Sequence, residues 1–268
     1  MSRDQQLARR FGDGSVTPDC EIPDVWGTLS ARGSVRRFKR KFVDRELVRH
    51  LCALALCSPT KSDLQQRDII HVVDEEQKAR ITNLVADQPW TAEIPSLLIF
   101  CGNNRRQRHL HNMRGHPFAN DHLDAFFNAA VDAGIALSAF VIAAEAIGLG
   151  CCPISGVRNR ASELSTCLRL PEYVFPIAGL AVGWPADRPV VSPRLPLVTT
   201  VHENTFNDAA IDQMINDYDQ RREAVHPYKT QRNTERFGLT DTYGWSEDKA
   251  RQYAEPERAN FGTYIRNQ

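Results

Sequence analysis

Several devices that would announce a function at once are missing from this 268-residue chain. No GxGxxG follows a strand and no GxxxxGK[ST] occurs, which argues against a Rossmann dinucleotide site or a P-loop. Neither HExxH nor a paired CxxC occurs, so the usual zinc frameworks are absent. Net charge is missing too: 33 basic residues balance 33 acidic ones, so nothing global argues for nucleic acid or an anionic membrane surface. The first residues, MSRDQQLARRFGDG, are polar and charged, and no cleavable apolar leader is expected in them. Seven cysteines form an odd set without framework spacing, and adjacent Cys151 and Cys152 suit buried thiols better than a disulfide. The expected protein is soluble, cytoplasmic and reduced, without metal. His109, His111, His116 and His122 lack ligand spacing on regular structure.

What is present is ordinary globular composition, 42% hydrophobic and 25% charged, enough for a substantial core. The chain is organised around Asp124–Arg160. Between Ala125 and Ala146 it contains no Lys or Arg, and only Asp132 and Glu145 are charged. Apolar residues fill nearly every face at helical spacing, which predicts a helix buried most of the way round. With Asp132, Gly134, Ser138 and Glu145 inside it, the segment reads as a core helix rather than a membrane span. Gly148-Leu149-Gly150 stops it, and Cys151–Ile154 leads into a Ser155-Gly156 turn.

Elsewhere the pattern predicts a loose arm over residues 1–21, a short helix from Ile22, and a helix begun by Asp44. Strands are expected at Asp68–Val73, Ser96–Cys101 and Val174–Gly183, with helices over Glu75–Val85, Ser162–Leu168 and Asp208–Ala224. Arg105–His122 reads as a long polar loop or short helix. The Pro-rich run 185–204 is expected to wrap another surface, and the tail with Trp245, Phe261 and Tyr264 to pack. The organisation expected is one domain, residues 22–268, with a C-terminal extension from about 207. Strands and helices over one core give an α+β fold, and the rich central helix favours an intimate dimer.

Arg32-Gly33-Ser34-Val35-Arg36 places two guanidiniums around a hydroxyl, a compact phosphate clamp. The loop from Ser58 to Ser62, with Gln65, offers hydroxyl and amide donors, and Gln88 precedes Pro89-Trp90. The ordered motifs RGSVRRF, SPTKSDLQ, AAEAIGLGCCPISGVRN, LRLPEYVFPIAGLAVGWPADRP and SPRLPLVTTVHEN resemble the oxygen-insensitive NADPH nitroreductase and flavin reductase group of the nitroreductase superfamily. The resemblance spans roughly residues 26–206.

It implies an α+β fold with a central mixed sheet flanked by helices, in an intertwined homodimer with FMN at two interface sites. By match, Arg32, Ser34, Arg36 and Arg194 would serve the FMN phosphate and ribityl chain. Thr60, Ser62, Gln65 and Gln88 would lie by the flavin, and Ile154, Ser155 and Gly156 along its edge. Lys229, Arg232 and Arg236 would meet NADPH. The activity implied is two-electron transfer from NADPH to nitroaromatic or quinone acceptors, ping-pong, with the flavin carrying the chemistry and no catalytic side chain. The alternatives are a reductase supplying reduced free FMN, or a non-catalytic flavin-binding protein. Gly33, Asp63, the Cys151–Pro153 run and a longer Arg105–Asn120 segment depart from the family pattern.

Overall fold

The computed structural model describes residues 8–9, 11–12, 24–85 and 88–268. The expected arm over 1–21 therefore lies outside the described residues, apart from Ala8, Arg9, Phe11 and Gly12. In chain order the elements are α1 (Asp24–Ala31), α2 (Arg45–Leu56), β1 (Arg67–Val72), α3 (Glu75–Asn83), β2 (Ser96–Asn103), α4 (Arg105–Arg114), α5 (Leu123–Ala146) and β3 (Gly150–Ile154). They continue with α6 (Ala161–Leu168), β4 (Val174–Gly183), α7 (Leu197–Thr200), α8 (Ile211–Val225), α9 (Thr234–Phe237), α10 (Trp245–Tyr253) and α11 (Phe261–Asn267).

Local chemistry sets the boundaries. Asp44 caps α2 by accepting the Glu46 N–H at 2.8 Å, and Asp74 caps α3 through the Gln77 N–H at 2.7 Å, each satisfying an otherwise orphaned donor. Gly115, at φ 70°, closes α4. That helix occupies much of the polar segment Arg105–His122.

The chain forms two compact units: Ser34–Pro189 with Arg258–Gln268, and the described residues up to Gly33 with Val190–Glu257. The larger unit holds a four-stranded sheet in the order β1-β2-β4-β3. Every pairing in it is antiparallel, where a mixed sheet was expected. The reason is topological. The connections from β1 to β2 and from β3 to β4 each leave and return at one end of the sheet. Only α5 carries the chain along its length, and the two strands it joins, β2 and β3, run the same way but are separated by β4. The fourth strand, β3, went unassigned as a strand in the sequence because it is short and contains Pro153, which an edge position tolerates.

Alternation along β2 sends Leu98 and Phe100 to one face and Leu97, Ile99 and Cys101 to the other. The first face meets α2 and α5 through Leu51, Ala136, Phe140 and Ala144. The second meets α3 and α6 through Ile81 and Leu164. Burying each large side chain here contributes roughly 1.5–3 kcal/mol relative to exposure. By length and composition α5 is long and apolar enough to cross a membrane, yet its buried side is Ala129, Asp132, Ala133, Ala136, Phe140 and Ala144. Leu123, Phe127 and Val131 in its first turns are exposed, while from Asp132 to Glu145 only Ser138 is, so the second half of the helix is covered most of the way round.

The tail packs as expected. Phe261 and Tyr264 join Ala129, Ala161 and Phe175 in a small third cluster, and Trp245 meets the Tyr218 ring edge-on at 5.3 Å within the smaller unit. There too the Pro-rich run lies against α8, where the Tyr218 hydroxyl donates to the Pro193 carbonyl at 3.1 Å.

Candidate cofactor site

Three separated segments of the larger unit converge along the free edge of β3. The Val35 N–H donates to the Cys151 carbonyl at 3.0 Å, which lays Ser34–Arg36 beside that strand. The Arg36 guanidinium stands 5.9 Å from the centre of the Trp90 ring. Two residues before Trp90, the Gln88 amide nitrogen reaches the turn that follows β3. A Cβ on Gly156 would lie 2.9 Å from it and 3.3 Å from Val85 Cγ1. Only a residue without a side chain lets the carboxamide come so near the backbone.

The backbone of Gln88 is fixed by its own bonds. Its N–H donates to the Val85 carbonyl, and its carbonyl accepts from Thr91 N–H and Oγ1. The Ser34 hydroxyl, the Arg36 guanidinium and the Gln88 amide make no hydrogen bond with the described residues. These are unspent donors on an exposed or half-buried surface. Ile154, by contrast, is 2% exposed and packs its side chain in the core, so the backbone is what it can offer a ligand. Ser155 is exposed and Gly156 buried.

A second group of predicted residues sits in the loop before β1. Ser62, Asp63 and Gln65 all have positive φ, at 49°, 54° and 50°, a conformation that costs about 1–2 kcal/mol for each residue with a side chain. Strain of this kind persists only where the surroundings over-determine it, and they do. Buried Arg67 donates to the Leu56, Ser58 and Pro59 carbonyls at 2.8, 2.7 and 3.0 Å. Gln107 donates to the Leu64 carbonyl at 2.8 Å, and Arg106 donates to that of Gln65.

Asp132, 1% exposed on α5, accepts the Lys61 N–H at 3.0 Å and the Gln66 N–H at 3.1 Å. The Ser62 hydroxyl is left exposed without a hydrogen-bond partner among the described residues, while Thr60 Oγ1 accepts the Gln65 N–H at 3.4 Å. The Gln65 amide is partly spent on Asp63, 3.1 Å away. The two groups lie on opposite edges of the sheet: Ile154 at the end of β3 is level with Ile70, not with Arg67 at the start of β1, so they stand more than three strand spacings, about 14 Å, apart.

The remaining candidates lie in the smaller unit. Arg194 is exposed, with Nη1 donating to the Pro193 carbonyl at 3.3 Å, and Arg32 is half-buried. Arg232 pairs through Nε with Asp248 at 2.9 Å, and Arg236 pairs with Glu255. Asp248 is 2% exposed and also accepts from Tyr243 and Lys249. Burial alone would raise its pKa, but those hydrogen bonds and the Lys249 and Arg232 charges hold it below the usual carboxylate range. Both arginines therefore help to build this unit. Lys229 has no ion-pair partner among the described residues and stands on the wall of a cleft of about 1250 Å³ with Gln231 and Tyr243.

No group of His, Cys, Asp or Glu able to hold a metal occurs among the described residues. His122 caps α5 by accepting the Asp124 N–H at 3.3 Å, and His111 bonds the Gln107 carbonyl. Sequence reasoning missed Trp90 beside Arg36, and it missed the scaffold of Arg67, Arg106, Gln107 and Asp132. The signal for that scaffold was Asp132, one of two carboxylates between Ala125 and Ala146.

The donor set suits FMN. A free guanidinium and hydroxyl answer a phosphate, and a carboxamide pressed on a glycine backbone answers a planar ring. Comparison with known proteins agrees. Residues 29–184 match the nitroreductase family and residues 192–268 the nitroreductase family, C-terminal domain. The FMN reductase [NAD(P)H] of Bacillus subtilis (strain 168) is 34% identical over 235 residues, covering 86% of this chain and 91% of the relative. The oxygen-insensitive NADPH nitroreductase of Salmonella typhimurium is 31% identical over 179 residues, 66% of this chain and 72% of that one. The structure of B. megaterium NfrA2, at 30% identity, superposes with a TM-score of 0.83 over 92% of this chain and 98% of its own. The chain belongs to the nitroreductase family.

Proposed function

We propose that this chain binds FMN and moves two electrons from NADPH to nitroaromatic or quinone acceptors by a ping-pong mechanism. It is an NAD(P)H-dependent FMN oxidoreductase of the nitroreductase type. The observation that carries the site is the convergence of the unspent donors of Ser34, Arg36 and Gln88 on the edge of β3. Bound FMN would supply two-electron chemistry: a hydride taken from NADPH, then an electron pair given either to a quinone, which with two protons becomes a hydroquinone, or to a nitro group, which with two protons becomes a nitroso group and releases water.

The residues of the chain bind and orient. Arg36 and Ser34 hold the phosphate and ribityl chain; Arg32 and Arg194 are assigned to the same group by motif match alone. Thr60, Ser62, Gln65 and Gln88 face the ring system, and the backbone of Ile154, Ser155 and Gly156 borders it. No side chain is assigned as acid or base. Lys229, with Arg232 and Arg236, is placed toward NADPH. Of these three, Lys229 has no ion-pair partner among the described residues and is assigned to the 2′-phosphate.

A homodimer is supported by the exposed stripe Leu123, Phe127 and Val131 on α5, which a second copy would cover. Free thiols at Cys52, Cys57 and Cys101 suit a reducing, cytoplasmic setting.

The test is the visible spectrum before and after anaerobic NADPH. Flavin bands that bleach with NADPH support the proposal. A colourless protein that takes up no added FMN overturns it, and bands that bleach only with dithionite point to a non-catalytic flavin-binding protein. A second reading, reduction of free FMN, is favoured by the reductase names of similar proteins. Comparing turnover with free FMN and with a quinone separates the two.

A further inference from the structure

The loop before β1 is shaped from behind by α5, and its anchor is a carboxylate with no other task. Asp132 spends one oxygen on the Lys61 N–H and the other on the Gln66 N–H, at 3.0 and 3.1 Å. Those two donors bracket the positive-φ residues Ser62, Asp63 and Gln65. No other acceptor type does this equally well: a buried carboxylate presents two acceptor oxygens and no donor, whereas an amide of the same shape presents one acceptor and one donor. Its burial in a largely apolar helix costs free energy unless both oxygens are bonded, and both of its bonds go to the loop rather than to the helix. From the opposite side Gln107 holds the Leu64 carbonyl, and Arg106 bridges the Gln65 carbonyl to Asp68. That assigns a task to the basic α4 segment, which the sequence alone left without one.

We infer that Asp132 is a positioning residue for the redox site: by clamping Lys61 and Gln66 it presets the left-handed backbone that aims Thr60, Ser62 and Gln65 at the flavin. The inference rests on the proposed placement of that loop beside FMN. A preset loop removes an ordering cost that the cofactor would otherwise bear on binding. Asp132 touches no reacting atom, so its effect is read in cofactor affinity and in the surroundings of the flavin.

The test uses the full-length chain stripped of FMN and titrated with it, for wild type, D132N and D132A. Ser165→Ala, which removes a buried bond to Tyr264 on another element, serves as the stability control. Losing a charge-assisted bond predicts an FMN Kd about tenfold higher in D132N and higher again in D132A. The visible circular dichroism of the bound flavin should be altered, and amide exchange over residues 58–66 faster. S165A should lose thermal stability yet keep the wild-type Kd and flavin spectrum.

Faster loop exchange in D132N with an unchanged Kd and flavin spectrum overturns the positioning role while leaving the cofactor site intact. A wild-type chain that takes up no FMN overturns both. If neither Asp132 variant folds, Gln107→Ala decides: a Kd raised about threefold or more supports a preset loop, and an unchanged Kd overturns it.

Discussion

Arg36→Ala is the most direct probe of the phosphate end of the site. In the ligand-free chain the Arg36 guanidinium is exposed, makes no hydrogen bond to the described residues, and sits 5.9 Å from the Trp90 ring. Removing it should therefore cost the protein little stability: a cation–π contact at an exposed site contributes about 0.5–1 kcal/mol at most. Bound FMN changes the balance, because a phosphate offers the forked donor a charge-assisted partner. Such bonds contribute roughly 1.5–3 kcal/mol, which is about a tenfold to hundredfold rise in Kd. Titrating stripped protein with FMN and following the quenching of flavin fluorescence measures it directly. The difference between wild type and R36A should narrow as salt rises, since exposed charges are screened over about 10 Å at 0.1 M. Arg36→Lys, which keeps the charge and loses the fork, should recover only part of the affinity. An R36A variant with unchanged Kd would take Arg36 out of the site and refute the reasoning that unspent donors mark it.

Gly156→Ala tests the ring end: the new methyl lies 2.9 Å from the Gln88 amide nitrogen. The flexible carboxamide should swing away, giving weaker FMN binding and a changed flavin spectrum at a thermal cost of roughly 1 kcal/mol; an unaltered spectrum counts against contact there. Gly102→Ala should be worse for folding, because its Cβ would meet the Phe175 ring at 2.5 Å and Ala129 at 3.2 Å, costing about 1–3 kcal/mol in denaturant titration. Asp248 predicts a pH response. Its pKa is lowered on folding, so the unfolded chain binds more protons. The stability it contributes is present above the usual 3.8 and is lost as pH falls through the folded value. Thermal melts between about pH 5 and 2 should show that loss in wild type and a flatter profile in Asp248→Asn; parallel profiles would exclude Asp248 as the group responsible.

The helices and inner strands were legible because their signals are local. Asp44 announces a cap that the structure contains, and near-continuous apolar character in Val174–Gly183 matches a strand buried along almost its whole length. Edge strand β3 escaped notice, since five residues with a proline carry too little pattern. The α5 periodicity was clear, and the helix is buried or half-buried along most of its length; the exposure of Leu123, Phe127 and Val131 was not legible, because composition shows that a face is apolar and only packing shows what covers it.

The candidate site divides in the same way. Ser34, Arg36, Gln88 and Gly156 could be named from motif order, because a ligand's chemistry dictates residue types. That they meet at one edge follows from the β3–β4 pairing and from the Val35 bond to Cys151, the latter made across more than a hundred residues of chain. Arg232 and Arg236 show the converse: in sequence they are simply cations near the C-terminus, and only folding commits them to Asp248 and Glu255. Sequence by itself determined the element types, the family motifs and the supply of donors. Tertiary structure decided which donors are spent and which remain open, because a hydrogen bond or ion pair depends on distance in space rather than separation along the chain.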